Sequence, residues 1–118
     1  MGNNPLVRAT GAGTALQILM VVVGHFMPSI QAGLFPIGGT AIGAITGILA
    51  SLWSKGASMG NQLGGGAVAG GLAGVLGTLV SVGLGDVPMS TVAVAGGSTV
   101  VAGAIGALIG RFMGGKPA

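Results

Sequence analysis

The stretch GGAVAGGLAGVLGTLVSVGLG, residues 65–85, carries no charged side chain. As an α-helix it is long enough to cross the roughly 30 Å hydrocarbon core of a bilayer, for which about 20 residues suffice. Its glycines would count against a helix in water, each costing about 1 kcal/mol relative to Ala. In lipid, helix association rests on close backbone contact, and Gly66, Gly70 and Gly74 at every fourth position form a groove for a partner helix. This stretch therefore predicts a transmembrane helix that packs tightly.

Three further apolar stretches, near 11–28, 37–53 and 91–113, repeat the pattern. The connections between the four are expected at Ser29–Pro36, Ser54–Gly64 and Asp86–Ser90. They are short, so successive helices run antiparallel. The first two helices sit at the short end of the spanning range. The whole chain of 118 residues has a mean hydropathy of +0.95, with four Lys and Arg against one acidic residue. A soluble domain devotes about a quarter of its residues to charge. The expected fold is an all-α integral membrane four-helix bundle, built as two tandem hairpins with glycine-zipper packing in a single transmembrane domain spanning 1–118.

The charges test this count. With four helices, both termini and the middle connection face one side, where Arg8, Lys55, Arg111 and Lys116 all fall, and Asp86 falls alone on the other. The positive-inside rule then puts both termini in the cytoplasm, in a cytoplasmic (inner) membrane. Trp53 beside Lys55 and Phe112 beside Arg111 suit that interface. The start, Met1-Gly2-Asn3-Asn4-Pro5, has no cationic stretch leading into a cleavable apolar core, and Leu6 stands where a myristoylation motif prefers Ser or Thr. Neither cleavage nor acylation is expected.

A shift of about 60 residues pairs Pro28 with Pro88, Leu16 and Leu19 with Leu76 and Leu79, and Gly43-Ala44-Ile45 with Gly103-Ala104-Ile105. The repeat halves would be 1–60 and 61–118, related by an axis along the membrane normal.

Small-residue stripes recur in three helices. The second has Gly39, Gly43, Gly47 and Ser51. The third adds Gly77, Ser81 and Gly85 to the first stripe, and the fourth has Ala102, Gly106, Gly110 and Gly114 beside Ala95, Thr99, Gly103 and Ala107. Two stripes exceed what one neighbour requires, so part of this surface is expected to meet other subunits. The first helix, with its bulky run Ile18 to Val23, shows no stripe and is expected to face lipid or a larger partner.

Chemistry is scarce. Cys, Tyr and Glu are absent, and Asp86 and His25 are singletons. Catalytic triads, paired carboxylates and multi-ligand metal sites are excluded by count, so neither an enzyme nor a cofactor is expected. Dispersed basic residues without interleaved aromatics argue against nucleic acid. His25 reads most simply as an interfacial side chain; the alternatives are contact with Asp86, whose neighbour Gly85 is its repeat counterpart, and a ligand or proton-handling role. Gln17 lies deeper and must find hydrogen-bond partners; its repeat counterpart Gly77 leaves room for it.

The function expected is a non-catalytic packing, accessory or self-assembling subunit of a membrane complex, with the bilayer and either its own copies or other subunits as partners. The alternatives are an oligomeric pore of the broad design seen in small phage holins, or a small channel or transporter. Thr46, Ser51, Thr78, Ser81, Ser98 and Thr99 are the candidate pore-lining residues.

Overall fold

The computed structural model describes residues 4–113, apart from the side chain of Ala32. It holds four α-helices: α1 (Pro5–Phe26), α2 (Pro28–Leu52), α3 (Met59–Gly83) and α4 (Ser90–Met113). All four are long and apolar enough to cross a membrane, α2 over Gly33–Leu52. At 22 to 25 residues each, they run to about 33–38 Å, beyond the bare spanning length.

Local chemistry sets the ends. The Asn4 side chain accepts from the backbone N–H groups of Leu6 and Val7, with Pro5 occupying a first-turn position where a missing N–H costs nothing. Ser58 caps α3 through the N–H of Asn61. At the far end of α3 the N–H of Gly85 donates to Val82 O and that of Asp86 to Ser81 O, a closing motif that needs the left-handed backbone of Gly85, φ +81°.

The expected connection at Ser29–Pro36 is corrected. Only Met27 separates α1 from α2; Pro28 opens α2, and Pro36 lies inside it. An interior proline removes one helical hydrogen bond, a loss that membrane helices tolerate where neighbours or cavities meet the freed group. The helices near 11–28 and 37–53 are thus longer than the sequence suggested.

α1 packs against α2 and α3, and α4 against α2 and α3; α2 also touches α3, whereas α1 and α4 do not meet. A two-fold axis along the membrane normal would make the α2/α3 and α1/α4 pairings equivalent. They are not, so the expected axis is not a feature of this arrangement.

The interior is made of small residues. Ala9, Ala69, Ala73 and Ala107 are fully buried, and the largest fully buried side chains are Thr46, Thr99, Ser51 and Ser81. The large apolar side chains point outward: Leu19 is 60% exposed, Ile37 75% and Val94 72%. Water would drive the reverse distribution. A bilayer makes no such demand, because lipid tails are as apolar as leucine.

Candidate functional site

The bundle has two unlike halves. At the Arg8–Arg111 end the helices meet backbone to backbone. A Cβ on Gly47 would strike the carbonyl of Gly103, one on Gly106 that of Ala44, and one on Gly110 would lie 2.8 Å from Ile48 O. Gly66 meets Gly103 O at 2.6 Å and Gly70 meets Thr99 O at 2.6 Å by the same construction, while Gly74 faces the Thr99 side chain. The stripe Gly66, Gly70, Gly74 therefore faces α4 of its own chain. Gly77 of the second stripe abuts Gln17, Gly85 lies in the turn beyond α3, and Gly114 falls outside the described residues. α1 also has a packed face, Ala9, Gly13, Gln17, Val21 and Gly24, with Gly13 against Thr46; the absence of a small-residue face on this helix is corrected too.

Towards the Asp86 end the helices part around a cavity of about 430 Å³. This lies within the roughly 300–1,000 Å³ range of small-molecule sites. All four helices contribute: Gln17 and Met20 from α1, Phe35, Pro36 and Thr40 from α2, Thr78 and Ser81 from α3, and Val94, Ser98 and Thr99 from α4. Thr99 forms its floor, packed between Gly43 and Gly74. Four of the six hydroxyl residues singled out in the sequence line it; Thr46 and Ser51 lie outside it, buried in the bundle.

The polar wall is largely self-satisfied. Gln17 is 3% exposed and donates through Nε2 to Gly39 O at 3.1 Å. A carbonyl only accepts, which fixes the amide orientation and leaves Gln17 Oε1 without a donor among the described residues. Gln31 Nε2 donates to Gly24 O, Thr78 to Gly74 O at 2.7 Å and Thr99 to Ala95 O at 2.7 Å. Ser81 differs: it is 1% exposed and its Oγ has no partner among the described residues.

His25 and Asp86 meet at this end. His25 Nδ1 stands 3.0 Å from both carboxylate oxygens of Asp86. An ionised carboxylate accepts, so Nδ1 carries the hydrogen. Since Asp86 N–H bonds Ser81 O, the pair ties the tip of α1 to the end of α3 above the cavity wall.

At the opposite end Arg111 donates through Nη1 to Gln62 Oε1 at 2.6 Å and to Ala57 O at 3.2 Å. Gln62, itself 4% exposed, donates through Nε2 to Ser51 O and Ser54 O. Arg8 lies over the Trp53 ring, 4.4 Å from its centroid. Sequence reasoning missed Gln62, whose signal was an uncharged polar residue at the start of a span, one helix end away from a basic residue. Lys116 lies outside the described residues.

No family model, curated protein or solved structure matches the chain.

Proposed function

We propose that this chain is a non-catalytic membrane protein that binds a small molecule in its intramembrane cavity, with the glycine-zippered half serving as a rigid floor. The observation carrying this reading is the unlike construction of the two halves: one closed to backbone contact, the other parted around buried amide and hydroxyl groups. A bundle selected for packing alone would close this end as it closes the other, by backbone contact at small residues. The scarcity of nucleophiles, acids and bases favours binding over catalysis.

The positive-inside rule supports placing the Arg8, Lys55 and Arg111 end in the cytoplasm and the cavity end outside.

A second reading, a self-assembling or accessory subunit, draws on a shallow groove between α1 and α3. Leu6, Val7, Gly11, Ile18, Leu72 and Leu76 line it, and a Cβ on Gly11 would meet nothing. Native mass spectrometry from mild detergent separates the two. The binding reading expects a monomer-sized particle retaining a small molecule, lost when Ser98→Trp fills the cavity. A stable oligomer with no retained molecule, unchanged by Ser98→Trp, would favour the second.

A further inference from the structure

Resting on the reading of the cavity as a binding site, we propose that its ligand is an uncharged amphipathic molecule that donates a hydrogen bond from its polar end and enters sideways from the bilayer between α2 and α4.

The lining determines the chemistry. Among the described residues no charged side chain borders the cavity, so an ion entering it would give up hydration without a counter-charge. Much of the wall is carbon, from Met20, Val21, Phe35, Pro36, Val87 and Val94, which suits an apolar body. The buried polar groups offer acceptors more than donors. The hydroxyls of Thr78, Ser98 and Thr99 donate to carbonyls one helical turn back, so they present lone pairs to the cavity. The amide N–H groups of Gln17 and Gln31 bond Gly39 O and Gly24 O, which leaves their Oε1 atoms as acceptors. Ser81 Oγ, unpartnered but sealed behind the wall, offers the cavity no accessible surface. Such a wall favours an O–H or N–H over an ether or ester of the same shape.

The route follows from where α2 and α4 separate. A Cβ on Gly43 would lie 3.1 Å from Thr99 Cβ, and from there to the Arg111 end the two backbones are in contact. On the other side of that point, Pro36 and Thr40 of α2 and Val94 and Ser98 of α4 line the cavity and are exposed on the outer face of the bundle. In a membrane this gap opens among the lipid chains. A ligand already partitioned into the bilayer reaches the cavity through it without crossing water.

The test is photolabelling of the full chain in phosphatidylcholine vesicles with a medium-chain alcohol bearing a diazirine, compared with its methyl ether. The alcohol should label the wall around Phe35 and Val87, and excess unlabelled octanol should compete. The ether should label these residues about tenfold less, and Thr78→Val, which removes an acceptor hydroxyl from the wall while keeping its shape, should reduce labelling by the alcohol to a similar degree. In Thr78→Val the Gly74 carbonyl keeps its helical N–H partner, so the variant should melt within a few degrees of the parent, which keeps a loss of binding distinct from misfolding. Equal, competable labelling by alcohol and ether would overturn the ligand class and leave the cavity as a binding site. Uniform labelling of all outward faces, indifferent to octanol, would overturn the binding site itself. Competition by water-soluble polyols and not by octanol would overturn the bilayer route.

Discussion

Gly106 and Ala44 meet without an intervening side chain: a Cβ added at Gly106 would fall on the Ala44 carbonyl oxygen. Backbone cannot yield as a flexible side chain does. Gly106→Ala should therefore destabilise the protein by about 1–3 kcal/mol, as overpacking does. Gly97, where an added Cβ meets nothing, is the control. Gly97→Ala should be neutral or stabilising by up to about 1 kcal/mol. Thermal unfolding in one detergent compares the two, and equal effects would show that the contact is not tight.

His25 and Asp86 join the tip of α1 to the turn after α3. His25→Ala and Asp86→Ala should be non-additive in a stability cycle by about 0.5–1.5 kcal/mol, because each removes the same contact. The coupling should be modest, as the His25 side chain remains 35% exposed. Strict additivity would dismiss the contact.

Ser51 is buried, and its Oγ has no partner among the described residues. Its carbonyl, which accepts from Gln62, survives substitution. Ser51→Ala should leave stability unchanged or raise it by about 1 kcal/mol, whereas Gln62→Leu, which removes the 2.6 Å acceptor of Arg111 and the side-chain donor to two carbonyls, should lower it by about 1–3 kcal/mol. Chemical denaturation of the two variants side by side checks the opposite signs.

Arg8 reaches Trp53 and Arg111 reaches Ala57, so these basic residues share one end of the bundle. A reporter at the C-terminus should be cytoplasmic, and one inserted at Asp86 should not. Opposite locations for the two chain termini would contradict a four-span protein.

The sequence made the four spans legible because lipid imposes length and apolarity on each helix separately. Boundaries were less legible, since a proline marks a helix start at Pro28 but sits within a helix at Pro36, and the two look alike in sequence. Which glycines face which partner was also hidden. Gly66, Gly70 and Gly74 display a groove, but whether its occupant belongs to the same chain depends on how four helices arrange themselves. The cavity was visible only as scattered hydroxyls: Thr78, Ser81, Ser98 and Thr99 come together because α2 and α4 part beyond Gly43, a property of tertiary packing.

The central claim, a parted polar half above a closed half, is tested most directly by thiol accessibility in membranes. The chain has no cysteine, so single substitutions report without background. Thr78→Cys faces the cavity, and Thr46→Cys replaces a fully buried residue in the closed packing beside Gly13. A small methanethiosulfonate reagent should modify Cys at 78 at least about tenfold faster than at 46, since thiol reactivity follows access and thiolate formation. Equal rates at the two positions, whether both fast or both negligible, would contradict the account.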